Sequence, residues 1–194
     1  ADDYFDFAWL ESTGWQNKVW ALPFDTDDRA LYYNNELVAE AGLDPDTPPA
    51  NLDEVDEWAA KLFKFEGPRM MQAGFIPWYN QGGCAYVWGW LFDAKYWDKD
   101  TGELSVNEPS VVASMEWRKQ YAEEYGADRF ESFSSAFGSE AQNPFYVGQV
   151  AMFYGGNWEL ANIEKYAPDL DFSVTPMPWP EDGRMATMAG GWSV

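Results

Sequence analysis

Apolar and polar residues alternate along this chain with a period that switches repeatedly between that of a strand and that of a helix. Lys18-Val-Trp-Ala-Leu-Pro-Phe24 reads as a strand ending in a turn, and Ala30-Leu-Tyr-Tyr-Asn34 as a second short strand. The acidic turn Asp25-Thr-Asp-Asp28 lies between them. A helix over 35–41 is closed by Gly42, and the segment Asp44-Pro-Asp-Thr-Pro-Pro49 that follows cannot be helical. Asn51 precedes Glu54 at the spacing of a capping box, and Val55, Trp58, Ala59 and Leu62 then share one face, which predicts a helix over 52–65.

Gly74-Phe-Ile-Pro-Trp78 looks extended and Gly82-Gly83 breaks the chain. Residues 85–94 are apolar enough for a buried helix, although their pattern also permits a strand. Asp98-Lys-Asp-Thr-Gly102 is a turn, 103–106 is short and extended, and Asn107 with Pro109 supplies the N-cap and first turn of a long helix. In that helix Ala113, Trp117, Tyr121 and Tyr125 recur every fourth residue. Val150-Ala-Met-Phe-Tyr154 reads as a buried strand, followed by a helix to about Tyr166 and a strand over 171–176. The segment 176–184, rich in Pro and Gly, is a surface loop. Alternating strands and capped helices predict an α/β layer domain, a small central sheet flanked by helices.

Composition narrows the function. The 194 residues suit one domain, and 12 Trp, 11 Tyr and 13 Phe argue for a packed core or an aromatic-lined site. A net charge of −21 repels a phosphate backbone and an anionic membrane face, so nucleic acid is excluded as a partner. The absence of histidine removes the usual general base and histidine-ligated metal sites. Cys84 has no partner for a disulfide and no cationic neighbour in sequence to activate it. No stretch reaches the length of a membrane span, so direct membrane insertion is not expected. The first residues resemble no signal peptide and the last are strand-like, which suggests a piece of a longer chain.

Sugars present apolar C–H faces and hydroxyl edges, so their sites need aromatic rings beside amides and carboxylates. Trp78, Tyr86, Trp88, Trp90, Trp158 and Trp192 lie beside Gly, Pro or Asn breaks, whereas Trp58 and Trp117 sit on periodic helix faces and belong in a core. The glycines before Trp158 and Trp192 suggest close backbone approach by a ligand. Tyr86, Trp88 and Trp90 cannot all face one cleft from a helix, so one or two of them are structural. Asp25, Asp27 and Asp28 suit hydroxyl binding, calcium or a glycosidase acid pair, with a solvated turn as the plain alternative. Calcium wants more ligands than this turn or the 98–102 turn supplies, so neither metal nor cofactor is expected.

In the order of its motifs the chain resembles the extracellular solute-binding proteins of sugar-importing ABC transporters, the family that includes maltose-binding protein. The most specific stretch runs Lys-Val-Trp-Ala-Leu-Pro-Phe-Asp-Thr-Asp-Asp-Arg-Ala-Leu-Tyr-Tyr-Asn-Asn-Glu-Leu from Lys18, then Glu-Ala-Gly-Leu-Asp-Pro-Asp-Thr-Pro-Pro from Glu40. Gly74-Phe-Ile-Pro-Trp, Gly89-Trp-Leu-Phe, Asn107-Glu-Pro, Gly148-Gln-Val-Ala-Met, Gly155-Gly-Asn-Trp and Gly190-Gly-Trp-Ser follow in the family's order. Asn51-Leu52 departs from its usual Thr-Trp, and Asp93-Ala94 from a frequent Gly-Gly.

The resemblance implies one lobe of a type II periplasmic-binding-protein-like receptor, in which two α/β lobes joined by hinge strands close on a ligand. Residues 1–17 would lead into the hinge and 18–194 would form the second lobe, bounded by hinge strands 18–24 and 190–194. It puts Asp25 at the hinge edge of the cleft, Trp78 with Tyr86, Trp88 and Trp90 along one wall, and Asn157, Trp158, Gly191 and Trp192 opposite or beneath a sugar. The implied partners are a sugar or oligosaccharide and, for the full receptor, ABC permease subunits. The implied location is extracellular or periplasmic, with the full receptor free or lipid-anchored. A glycoside-processing enzyme and an interaction domain without a small ligand are the alternatives. Two expectations bear on the fold: Trp58 and Trp117 are buried, and at least two of Trp78, Trp88, Trp158 and Trp192 border an open concave face.

Overall fold

A computed structural model describes residues 3–98, 100–188 and 190–194. In chain order the elements are α1 (Asp6–Thr13), β1 (Arg29–Asn34), α2 (Asn35–Glu40), α3 (Leu52–Leu62), β2 (Lys64–Glu66), β3 (Arg69–Phe75), α4 (Ala85–Leu91), α5 (Pro109–Tyr125), α6 (Ala127–Ser134), β4 (Val150–Gly156), α7 (Trp158–Tyr166) and β5 (Phe172–Thr175). The strands form one mixed sheet of five in the order β2-β3-β4-β1-β5. The predicted α/β layer is therefore present.

Local chemistry sets several of these boundaries. The Asn34 side chain accepts from the Leu37 N–H and starts α2, and Gly42 at φ +74° ends that turn. Asn51 Oδ1 accepts from the Glu54 N–H at 2.9 Å, while Glu54 reaches back to the Ala50 N–H at 2.8 Å and so completes the cap of α3. That helix stops at Leu62 instead of 65, because residues 64–66 pair with β3 across a turn at Gly67. Glu108 takes the N-cap of α5 in place of the expected Asn107, with Pro109 in the first turn. Gly126, at φ +91°, separates α5 from α6, a helix the periodicity did not reveal.

The sheet is built around β4, whose seven residues are all buried between β3 and β1. β3 runs parallel to β4, β1 antiparallel to it, and β5 antiparallel to β1. The carboxyl ends of β3, β4 and β5 therefore meet at the edge where β1 begins, with Arg29 opposite Gly156. Helices α3 and α6 pack on β3, and α4 packs on α5. Trp58 and Trp117 are buried as expected, each 7% exposed. Between α3 and α5, Asp56 accepts from the Trp117 indole N–H at 3.1 Å and the Tyr121 hydroxyl at 2.5 Å. Burial pushes the Asp56 carboxyl above its ordinary value, and those two hydrogen bonds pull it the other way.

The run 18–24 joins no part of this sheet. Instead Leu22 and Val194 exchange backbone hydrogen bonds at 2.7 and 2.9 Å, Phe24 donates to Trp192 at 2.7 Å, and Asp27 and Gly190 exchange another pair at 2.9 and 3.1 Å. These contacts make a separate antiparallel ladder of two segments at the edge that carries Arg29. Its outer part and α1 leave Phe5, Leu10, Trp15, Trp20, Phe24 and Val194 exposed.

Gly74 marks the tightest helix-to-sheet contact. A Cβ there would lie 2.2 Å from the carbonyl oxygen and 2.7 Å from the Cα of Ala59, backbone atoms that no rotamer change can move. Gly74→Ala is expected to separate α3 from β3 and to cost about 1–3 kcal/mol, the usual range for overpacking. Chemical denaturation would measure the loss, and the melting midpoint should fall by roughly 2–4 °C per kcal/mol for a domain of this size.

Candidate functional site

The edge formed by the start of β1 and the ends of β3, β4 and β5 is where open α/β sheets gather ligand-binding groups. At its centre stands Arg29, with a side chain only 7% exposed. Its Nη1 donates to the Asp27 carboxylate and to the Met188 carbonyl at 3.1 Å, and its Nε donates to Gln81 Oε1 at 3.3 Å. Its guanidinium lies over the Trp158 ring, 5.1 Å from the centroid. The strand geometry fixes this position, because Arg29 pairs with Gly156 and Trp158 follows two residues later.

A polar row continues from Arg29. Gln81 donates to Asn80 Oδ1 at 3.4 Å, Asn80 donates to Glu159 Oε1 at 3.1 Å, and Tyr146 donates to Glu159 Oε2 at 2.7 Å. Glu159 is buried in the first turn of α7, where a carboxylate suits the helix dipole. The Tyr146 hydroxyl is pushed above the ordinary phenol value, first by burial and then by its bond to Glu159. Tyr32 is pushed up to about 12 by burial, with Glu159 and Asp28 adding to it. Both phenols therefore remain protonated donors near neutral pH.

The ladder brings in Asp25, Gly191 and Trp192. Asp25 Oδ1 accepts from the Trp192 backbone N–H at 2.7 Å, and the Trp192 ring is 75% exposed. Gly191 passes so close that a Cβ would fall 2.0 Å from the Asp25 carbonyl oxygen. On α4, Tyr86 and Trp90 stand one turn apart with ring centroids 5.1 Å apart, and the Tyr86 hydroxyl lies 2.9 Å from Met188 Sδ. Met188 thus links this aromatic pair to Arg29. Asn157 is exposed at the start of α7, and its backbone N–H donates to the Asp28 carbonyl at 3.1 Å.

Asp25, Tyr86, Trp90, Asn157, Trp158, Gly191 and Trp192 therefore share this edge through Arg29, Met188 and the ladder. Trp88 does not. It is 0% exposed in the core, and its indole N–H donates to the Gly82 carbonyl at 2.8 Å, because it occupies the face of α4 opposite Tyr86 and Trp90. Trp78 is half-buried with its ring edge-on to the buried Phe130 of α6 at 4.9 Å, and no contact among the described residues joins it to Arg29.

The glycines also have a different cause from the one expected. A Cβ at Gly155 would strike the Phe153 ring at 2.4 Å and one at Gly156 the Trp158 ring at 2.1 Å, so they make room for the chain's own aromatics. None of the expected tryptophans lines the hollow beside Arg29. The hollow beside Arg29, about 400 Å³, is lined by Asp28, Arg29, Ala30 and segments 174–177 and 185–187. Sequence reasoning passed over Arg29, Gln81, Asn80 and Glu159. The available signal was a lone cation following three aspartates at the start of a buried strand.

Residues 1–194 match the family model described as bacterial extracellular solute-binding protein. A curated relative, the sn-glycerol-3-phosphate-binding periplasmic protein UgpB of Escherichia coli strain K12, is 30% identical over 171 residues, 84% of this chain and 36% of its own length. The solved structure of CpMnBP1 with mannobiose bound superposes with a TM-score of 0.90 at 32% identity, over 98% of this chain and 48% of that one. Maltose-bound MalE3 of T. maritima shares the fold, with a TM-score of 0.75 at 22% identity over 99% of this chain and 48% of its own. The chain thus spans about half the length of these solved structures and about a third of the curated relative.

The two kinds of tryptophan separate cleanly in a stability measurement. Trp88→Ala is expected to cost about 3–5 kcal/mol as a core truncation. Trp192→Ala should stay within about 0.5 kcal/mol of the parent, since the ring packs on little of the fold. Urea unfolding of the two variants tests both values.

Proposed function

The chain belongs to the bacterial extracellular solute-binding protein family, and on that premise we propose that it forms one wall of a cleft that captures a sugar or oligosaccharide for an ABC importer. The observation that carries this reading is the single edge where Tyr86, Trp90, Trp158 and Trp192 stand beside Asp25, Asn157 and the Arg29–Gln81–Asn80–Glu159 row. Rings supply faces for pyranose C–H groups, and the amides and carboxylates pair with hydroxyls. The likeness to a mannobiose-bound receptor at 32% identity supports a saccharide. In this reading Trp78 lies farther along the wall, and Trp88 supports the wall from within.

The ladder of residues 22–27 and 190–194 serves as the hinge, with the preceding helix leading into it from the other lobe. Among the described residues the two segments pair by backbone with each other and not with the five-stranded sheet, so they can twist without disturbing it. The site belongs to a binding protein that releases its ligand unchanged to permease subunits, outside the cytoplasm as the family's description has it. Among the described residues no helix is long and apolar enough to cross a membrane.

Titration calorimetry with mannobiose and mannotriose tests the reading. The 194-residue chain is expected to bind weakly, because a single wall leaves much of the ligand in water, whereas enclosed sites bury most of it. Trp158→Ala and Trp192→Ala should each weaken binding by roughly three- to tenfold, the worth of one aromatic contact of about 0.5–1.5 kcal/mol. Binding by the chain alone as tight as by a complete two-lobe receptor would contradict the half-cleft, and sustained hydrolysis of mannotriose would make the protein an enzyme.

A further inference from the structure

The proposed site leaves a choice of ligand chemistry, since a receptor of this fold could take a neutral glycoside or a phosphate ester. A phosphate needs a cation or a set of uncommitted donors, because each of its oxygens carries negative charge. Among the described residues gathered at this edge, Arg29 is the one cation. Its charge is already engaged: Asp27 occupies Nη1 together with the Met188 carbonyl, Gln81 occupies Nε, and the Trp158 ring lies under the guanidinium. Asp25 and Asp28 stand exposed on the same edge, and Glu159 lies buried behind it.

Resting on the receptor reading above, we infer that Asp27 is a specificity-determining residue: by pairing internally with Arg29 it reserves this site for neutral polyhydroxylated ligands and turns phosphate esters away. Discrimination between ligands is a difference of affinities, and a like-charge surface can supply it as well as any added contact. A neutral sugar loses nothing at this surface, because carboxylates and amides are good acceptors for its hydroxyls. A phosphate would meet carboxylates on the open side and an arginine whose charge Asp27 already offsets. The Asp27 side chain is 20% exposed, so its carboxylate is within reach of the edge while Arg29 stays behind it.

The experiment compares mannobiose with glycerol 3-phosphate, and inorganic phosphate as a second anion, on the 194-residue chain and on Asp27→Asn. The parent chain is expected to bind mannobiose and to show no measurable binding of either anion. Asp27→Asn releases the guanidinium and should gain affinity for glycerol 3-phosphate by roughly ten- to a hundredfold, the size of one charge-assisted hydrogen bond. Asp28→Asn removes the same charge one residue away without touching Arg29, and should gain much less. An equal gain in both variants would overturn the inference in favour of bulk charge. Glycerol 3-phosphate bound by the parent as tightly as mannobiose would overturn it while leaving the receptor reading intact. Failure of all three probes on the parent would reject the receptor reading and the inference with it. The parent comparison needs no variant, and the melting midpoint of Asp27→Asn shows whether that variant is folded.

Discussion

The candidate site in this lobe depends on the complete burial of β4. A strand with both faces and both edges covered must satisfy its backbone through its neighbours, so β3 and β1 are held on either side of it with little freedom of register. That pairing puts Arg29 opposite Gly156 and brings the ends of three strands to one edge. The polar row is a consequence of the sheet and not an independent loop assembly. Moving Arg29 by one residue in register would turn its side chain to the opposite face.

Burying a guanidinium is costly unless charge and hydrogen bonds accompany it. Here the cost is offset from four directions: a carboxylate two residues away, a backbone carbonyl, an amide and an indole face. The same four contacts fix the positions of Asp27, Met188, Gln81 and Trp158. One buried cation therefore organises parts of the chain that are far apart in sequence. Asp25, bonded to the Trp192 backbone, extends that order to the ladder.

Much of the fold was legible because its signals are local. Asn51 and Glu54 announced α3, Pro109 announced α5, and the apolar run 150–154 could only be a buried strand. What was illegible depends on partners distant in sequence. Nothing in Lys64-Phe-Glu says that it pairs with β3, and residues 18–24 have the pattern of a sheet strand, yet Leu22–Phe24 pair with residues 192–194 outside the sheet. Helix α1 has a mixed surface with no apolar stripe and gave no periodic signal. At the site, aromatics beside glycines drew attention for a partly mistaken reason. Gly155 and Gly156 relieve contacts with Phe153 and Trp158, whereas Arg29 and Glu159 read as ordinary surface charges until the sheet buries them.

The ladder at the edge of the lobe also has a mechanical direction. Leu22 and Val194 are held by one backbone pair, with their side chains exposed. At its root the backbone pair between Asp27 and Gly190 is reinforced by the Thr26 hydroxyl on the Gly190 carbonyl and by the Asp27–Arg29 ion pair. A force separating Leu22 from Val194 would load these bonds one after another, as in opening a zipper, and not all at once as in shearing two strands. The root of the ladder is therefore stiffer than the Leu22–Val194 pair, so the ladder can bend while the edge that carries Arg29 holds its shape.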